Sequence, residues 1–284
     1  MSNNINWGKI YESTAWGSGV TDNNISWGKS YADLAGGGGF TGLLDTYSGA
    51  AAAYSLRQLS STYSGNAIKV RRASDNAEQD IAFSNNELDT ATLETFASGT
   101  DAFVTTWYDQ SGNGNDMTRT SAANQPKIVS NGVSLGYIEQ ASAIFLTSTL
   151  LMTQNSLYTY FGVVQSYEKA IYIPVVDAGN NSVGYAAVSQ DGSSTIGANN
   201  FSEGNRYQNG SLIGATWGDM YSATSSFSAI SAYVQKAGSP DAFLASGTSI
   251  GAYNQSRLKE VILYPNQTID RSGVENNIIT HYGF

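Results

Sequence analysis

The chain has 284 residues, of which 41% are hydrophobic and only 13% charged, and its formal net charge is −9. Its 18 Tyr, 10 Phe and 5 Trp exclude a disordered chain and suit β-strands, where aromatic side chains pack on a pleated surface. With 14 basic against 23 acidic residues it lacks the concentrated positive charge of a nucleic-acid-binding protein, and without cysteine it has no disulfides and no thiolate metal site.

The N-terminal sequence and the hydropathy of the chain bear on secretion and on membrane insertion. The N-terminus has neither the positive nor the apolar region of a signal peptide, and no run approaches the roughly 20 apolar residues that cross a bilayer. We therefore expect synthesis in a bacterial cytoplasm, no membrane insertion, no nucleic-acid partner and no cofactor.

The first elements along the chain form a repeat. Residues 4–9 (NINWGK) return as residues 24–29 (NISWGK), an offset of twenty. Each copy is too short to bury a core alone, so we predict that segment 1–40 attaches to another protein or to further copies of itself. The alternative is a strand pair that closes over the main domain. The predicted attachment residues are Trp7, Gly8, Trp27 and Gly28, because buried indoles anchor interfaces and glycine permits close backbone approach.

Four glycines, residues 36–39, predict a hinge, so the main domain is placed at residues 41–284. The alanine-rich run 50–59 predicts a short helix. Short apolar or alternating runs between Gly, Asn and Ser predict strands, a spacing typical of a β-sandwich. These runs are residues 67–71, 103–108, 157–164, 171–176, 183–188, 227–234 and 258–263. Asn209-Gly210 predicts a two-residue hairpin.

The last twelve or so residues predict a helix. Ser272 and Glu275 have the spacing of a capping box. Val274, Ile278 and Tyr282 form one apolar stripe, and Gly283 fits the C-terminal cap. We expect this helix to pack on the sandwich.

Three stretches make the main domain recognisable: residues 53–59 (AYSLRQL), 70–76 (VRRASDN) and 107–116 (WYDQSGNGND). Together they resemble the catalytic-domain family of arabinofuranosidase B and its relatives in bacterial and phage proteins. The closing stretch, KEVILY with the helix after it, is similar to the end of concanavalin-like or laminin G-like domains in phage structural proteins. The resemblance implies an all-β, concanavalin-like jelly-roll β-sandwich with short helices.

The chain also departs from that family. The resemblance implies a nucleophilic Glu in a His-Met-Glu-Ala-type strand and a vicinal cysteine pair, but the chain has a single histidine, His281, and no cysteine. Neither catalytic carboxyl group can be carried over. We therefore predict that the chain is not an enzyme but a structural protein of a tailed bacteriophage virion: a head fibre, capsid decoration or tail fibre. Its predicted partners are other virion proteins, two further copies in a homotrimer, and cell-surface glycans.

Two other functions stay open. A glycosidase acting on arabinose-containing polysaccharide would need a carboxylate pair, and the candidates in the middle of the chain are Asp177, Asp191, Glu203 and Asp219. A bacterial adhesin module is the third hypothesis.

The remaining candidate residues are weighed against structural roles. Residues 109–116 alternate oxygen-bearing side chains like the start of a calcium loop, but Thr120 stands where a bidentate Glu belongs. The interpretation favoured here is a turn held by Asp109 and Asn113. We expect His281 to interact with the helix dipole. A glycan-binding region is predicted at Asn199, Asn200, Asn205, Tyr207, Trp217 and Tyr221.

Overall fold

The computed structural model describes residues 39–140, 146, 148, 157–166, 206–214, 225–235, 256–265 and 268–284. The chain divides after Phe40, and every element given below belongs to the second unit, Thr41–Phe284. The repeat lies outside the described residues, so the role predicted for residues 1–40 stays a prediction.

The described residues are mostly β. The three α-helices are α1 (Leu43–Thr46), α2 (Thr90–Ala97) and α3 (Arg271–Tyr282), and a 3-10 turn covers Ala122–Asn124. The first strands are β1 (Ala52–Ser55), β2 (Ile68–Arg72), β3 (Glu78–Ile81), β4 (Phe83–Ser84), β5 (Glu87–Leu88), β6 (Ala102–Trp107) and β7 (Met117–Thr118). The later strands are β8 (Lys127–Ser130), β9 (Val133–Gln140), β10 (Leu157–Ser166), β11 (Arg206–Gln208), β12 (Ser211–Ile213), β13 (Ser228–Gln235) and β14 (Ser256–Tyr264). None of these helices is long and apolar enough to cross a membrane.

Twelve strands form one antiparallel sheet in the order β12-β11-β13-β10-β14-β9-β8-β6-β2-β3, with β1 on β14 and β7 on β6. Strands β4 and β5 form a separate hairpin. The prediction of a mostly-β fold with few helices is confirmed at this level.

One edge of β14 divides between two partners. Its first residues, 256–258, pair with β9, whereas residues 260–263 pair with β1. Lys259 lies at the division, and its carbonyl accepts from the Leu56 N–H at 3.0 Å. The other edge of β14 pairs with β10. Strands β9 and β1 therefore separate at Lys259, which leaves a fork in the sheet.

The core has two parts, and β10 contributes to both. Tyr160 and Val164 belong to a cluster that contains the buried Trp107. Phe161 and Val163 face the opposite way into a cluster with helices α1 and α3. Successive side chains of a strand point to opposite faces, and burial on both faces explains the continuous apolar run of β10.

Most sequence-predicted elements in the described residues are confirmed. Strands β2, β6, β10, β13 and β14 lie within one or two residues of their predicted bounds. Asn209 and Gly210 have φ of 47° and 80° and join β11 to β12, as a type I′ turn requires. The predicted strands at 171–176 and 183–188 lie outside the described residues.

Two local predictions are wrong. The run 50–59 is not a helix, because Ala52–Ser55 is the strand β1 with all four residues buried; its alanines allow close packing on β14, and tertiary packing overrides helix propensity. Helix α3 and its Gly283 cap are confirmed, but Asp270 rather than Ser272 caps the first turn, accepting from the Gly273 N–H at 3.0 Å. Glu275 is buried and contacts Ser231 and Arg271 instead.

Candidate functional site

The loop that follows β6 is built around the carboxylate of Asp109. Oδ1 accepts from the Ala53 and Ser111 N–H groups, each at 2.9 Å. Oδ2 accepts from the Ser111 hydroxyl at 2.8 Å and the Asn115 N–H at 3.0 Å. Asp109 is 4% exposed, and these four donors account for the carboxylate within the protein.

The neighbouring Gln110 joins the same loop to the chain after β1. Its Oε1 accepts from the Leu59 N–H at 2.7 Å, and its Nε2 donates to the Ser55 and Arg57 carbonyls at 3.1 and 3.0 Å. The Asn113 amide donates to two further carbonyls, those of Ala50 and Ala51. The interpretation of residues 109–116 as a turn is confirmed for Asp109, which accepts from the Ser111 and Asn115 N–H groups, whereas the Asn113 side chain donates to carbonyls outside the turn. Among the described residues, no group of three or more His, Asp or Glu side chains could hold a metal ion.

A cavity of about 290 Å³ lies beside this loop, and its lining residues include Asp45, Ser60, Thr62 and Tyr63. Burial would raise the pKa of Asp45, but hydrogen bonds from the Ser61 and Gly42 N–H groups and the Ser60 hydroxyl lower it overall. Asp45 therefore stays ionised and fixes the backbone at this place.

A buried ion pair joins β14 to the segment after β1. The Arg57 guanidinium contacts Glu260 through Nε at 2.7 Å and Nη2 at 3.0 Å, and Glu260 is fully buried. The Ser55 hydroxyl at 2.8 Å and the Tyr282 hydroxyl at 3.1 Å also donate to Glu260. Arg57 Nη1 donates to the Asn277 side chain at 2.9 Å. A buried pair is tolerated when such bonds satisfy both partners.

Outside this pair lies a second cavity of about 450 Å³, here called the fork cavity because Lys259 is one of its walls. It is lined by Leu56, Glu87, Leu88, Thr90, Gly136, Lys259, His281 and Tyr282. His281 Nε2 lies 3.3 Å from Glu87 Oε1. Lys259 Nζ lies 4.6 Å from the Phe227 ring centre and 5.7 Å from that of Tyr282.

The pKa values of all four titratable groups of the fork cavity, Glu87, Lys259, His281 and Tyr282, are shifted in the direction that favours the neutral form. Burial raises the pKa of Glu87 and lowers that of Lys259, although each group's charge partly opposes the other's shift. Burial and the nearby Arg57 charge lower the pKa of His281, with Glu260 opposing them. Displaced titration in a cleft is typical of functional sites.

The fork cavity contains one accessible carboxylate. Glycoside hydrolysis needs two carboxyl groups, about 5 to 9.5 Å apart depending on the stereochemistry. Glu87 is 54% exposed, whereas Glu260 is closed off by Arg57, Ser55 and Tyr282. The cavity is thus suited to binding through hydrogen bonds rather than to cleaving a glycosidic bond.

Most of the predicted site residues lie outside the part of the chain that the structure describes. The residues outside the described part of the chain are Trp7, Gly8, Trp27, Gly28, Asp177, Asp191, Asn199, Asn200, Glu203, Asn205, Trp217, Asp219 and Tyr221. Tyr207 lies in β11, half-buried, with the Arg271 guanidinium 3.4 Å from its ring centre. The predictions missed Glu87 and Lys259, since single charged residues in strands carry no motif. His281 lies at the end of α3, as expected, but also contacts Glu87.

The comparisons with known proteins point to one family. The family model described as alpha-L-arabinofuranosidase B, catalytic, matches residues 45–229, more than half of the chain. A probable alpha-L-arabinofuranosidase B of Aspergillus fumigatus is 38% identical over 116 residues, and an alpha-L-arabinofuranosidase of Hypocrea jecorina is 36% identical over 115 residues. Each match covers 38% of this chain but only 22% of the relative.

Solved structures agree at the level of the fold. An arabinofuranosidase complexed with arabinofuranosyl-alpha-1,2-xylobiose has a TM-score of 0.50 at 17% identity. A GH54 alpha-L-arabinofuranosidase soaked with a cyclic sulfate inhibitor has a TM-score of 0.50 at 18% identity. Both matches cover 81% of this chain and 62% of the other.

These findings correct the functional predictions. The phage structural protein, the virion location, and the virion and homotrimer partners are wrong, because the matched family and relatives are arabinofuranosidases, the relatives from fungi. The prediction that the chain is not an enzyme is wrong on the same ground, since the matching model describes a catalytic domain. The error arose because the missing His-Met-Glu-Ala strand and the similarity to phage proteins were given more weight than the three stretches that match the arabinofuranosidase family.

Proposed function

Because the chain belongs to the catalytic-domain family of alpha-L-arabinofuranosidase B, we propose that it is a glycoside hydrolase of the arabinofuranosidase type, acting on arabinose-containing polysaccharide. The observation that carries this proposal is the extent of the family match, which runs from residue 45 through the 107–116 loop to residue 229. The match therefore includes the middle of the chain, where sequences that share only a fold would diverge. The proposal includes the finer architecture, a concanavalin-like jelly-roll β-sandwich.

The structure supports the proposal by the role of the matched residues. Asp109 and Gln110 tie the loop after β6 to β1 and the segment after it, so the motif holds these parts of the fold in one arrangement. A rigid scaffold of this kind holds catalytic groups at a fixed separation. Within the described residues, the ion-paired Glu260 and the donor-saturated Asp109 are unsuitable as catalytic carboxylates.

The catalytic pair is accordingly proposed in the middle of the chain. The sequence has no His-Met-Glu-Ala strand, so the nucleophile is sought among Asp177, Asp191, Glu203 and Asp219. One carboxyl group would protonate the leaving oxygen while the other attacks the anomeric carbon or activates water. The aromatic and amide residues predicted to bind glycan, Asn199, Asn200, Asn205, Tyr207, Trp217 and Tyr221, would position the sugar.

The test is hydrolysis of 4-nitrophenyl alpha-L-arabinofuranoside by the full chain, measured by the release of nitrophenolate. We expect turnover by the wild-type chain and a loss of about 100-fold or more when a true catalytic acid becomes its amide. The variants are Asp177→Asn, Asp191→Asn, Glu203→Gln and Asp219→Asn. Asp75→Asn, which changes an exposed ion pair with Arg72, is the matched control and should keep full activity.

One outcome would contradict the proposed function, and another would contradict only the choice of catalytic residues. A folded wild-type chain that releases no nitrophenolate and no arabinose from arabinose-substituted xylan would overturn the hydrolase function. Turnover that survives all four amide substitutions would keep the function and overturn the choice of carboxylates.

A further inference from the structure

The fork cavity arises from the strand pairing and not from a gap between flexible side chains. Its lining residues come from β5, α2, β9, β14, α3 and the segment after β1, and one of them is Lys259, at which β9 and β1 separate. Gly136 of β9 has φ of 68°, and a Cβ placed there would meet no atom within 4 Å. The cavity volume of about 450 Å³ lies in the usual range for small-molecule sites.

The wall behind the cavity is polar but electrically neutral. The Arg57–Glu260 pair is closed by the Ser55, Asn277 and Tyr282 side chains. The pair therefore has no uncompensated charge to offer a ligand. Its bonds also fix the Tyr282 ring, which lies between the buried pair and the cavity.

The rim offers hydrogen-bonding groups whose charges cancel. Glu87 is an acceptor, Lys259 a donor, and the Thr90 hydroxyl can act as either. His281 is neutral at pH 7 because its pKa lies below the ordinary 6.5, so one of its ring nitrogens donates and the other accepts. A net-charged ligand would lose hydration on entry without gaining a compensating charge.

Apolar surface completes the lining. Leu56 and Leu88 are 7% exposed and, with the Tyr282 ring, form the apolar part of the cavity. A ligand that matches this lining has several hydroxyl groups on one side, C–H groups on another, and no net charge.

We propose that the fork cavity binds one neutral sugar residue, as a carbohydrate subsite built from the described lining residues. The choice of a sugar among neutral polyols rests on the proposed function. The ring hydroxyls are hydrogen-bonded by Glu87, Lys259 and His281, and the C–H face lies on Leu88 and Tyr282.

The test is calorimetric titration of the full chain with L-arabinose and with xylobiose, neither of which the proposed activity cleaves. We expect saturable binding that weakens about tenfold or more in Glu87→Gln, which replaces a charged acceptor by a weaker neutral one, and in His281→Ala, which removes a partly buried hydrogen-bonding ring. Glu78→Gln, a strand glutamate outside the cavity with a 3.9 Å contact to Lys69, is the matched control and should bind like the wild type. Thermal melting of each variant checks that it is folded.

Several results would overturn the subsite: no saturable binding of either sugar, equal binding by wild type and both cavity variants, or tighter binding of the anion D-galacturonate. The hydrolase proposal fails separately. If the wild-type chain shows no turnover but binds sugar in a way that depends on Glu87, only the hydrolase proposal is contradicted. If the wild-type chain shows turnover but its sugar binding does not depend on Glu87 or His281, only the subsite proposal is contradicted.

Discussion

The 107–116 loop and the fork cavity are both rich in polar side chains, yet they use them in opposite ways. In the loop, the Asp109 carboxylate and the Gln110 amide are committed to partners within the chain, most of them backbone groups. In the fork cavity, Glu87 and Lys259 face open volume beside a closed ion pair. The recognisable motif thus determines the architecture, while the groups available to a ligand are scattered residues without a motif.

The largest expected effect concerns the ion pair behind the cavity. Glu260→Ala leaves the buried Arg57 guanidinium and two hydroxyl donors without their acceptor, so we expect the free energy of unfolding to fall by about 3 to 5 kcal/mol. Urea unfolding followed by circular dichroism measures it. Glu87→Ala, half-exposed on the rim, should change it by about 0.5 kcal/mol or less.

A double variant tests the same ion pair from the other side. Arg57→Met combined with Glu260→Leu removes both charges and should recover most of the lost stability. A Glu260→Ala variant within about 1 kcal/mol of the wild type would contradict the description of this pair as buried and mutually dependent.

The next effect concerns the loop. Asp109→Ala removes the acceptor of three backbone N–H groups and one hydroxyl, and we expect a loss of about 2 to 4 kcal/mol in the free energy of unfolding. Asn113→Ala, whose side chain is exposed, should cost about 1 kcal/mol. Equal effects of the two substitutions in urea unfolding would show that Asp109 is not the centre of the loop.

The smallest effect is the pH dependence of the cavity rim. Since the pKa of His281 is lowered on folding, the unfolded chain binds more protons near this residue, and stability contributed by neutral His281 is lost as the pH falls below about 6.5. The wild type should therefore lose more stability than His281→Gln between pH 7 and pH 5. His281 is the single histidine of the chain, so its NMR titration measures the pKa directly; a midpoint above 6.5 would reverse the sign.

The sequence predicted most of the fold that the structure describes. Strand β10 is a long, largely apolar run, and the Asn209–Gly210 turn has a backbone requirement that few other residues meet. The run 50–59 was misassigned because alanine has high helix propensity, while its burial against β14 is visible only in three dimensions. Asp270 and Ser272 both suit a helix N-cap, and only the geometry distinguishes them.

The candidate site was far less predictable. Glu87 and Lys259 are 172 positions apart in sequence, and the fork in the sheet alone brings them to one cavity. The motif drew attention to Asp109, whose carboxylate already accepts hydrogen bonds, most of them from backbone N–H groups. The missing His-Met-Glu-Ala strand was given more weight than the matched loop, which led to a virion protein in place of a hydrolase.

The position of β14 also has a consequence for how the chain folds during synthesis. This strand is the last of the described strands, yet it lies in the interior of the sheet and pairs with β10, β9 and β1. Its contacts with β1 join residues more than 200 positions apart, and such distant pairings are slow to form. The ribosome must therefore release residue 264 before the sheet can close, and until then β10 and β1 have unpaired edges that chaperones or neighbouring chains can bind.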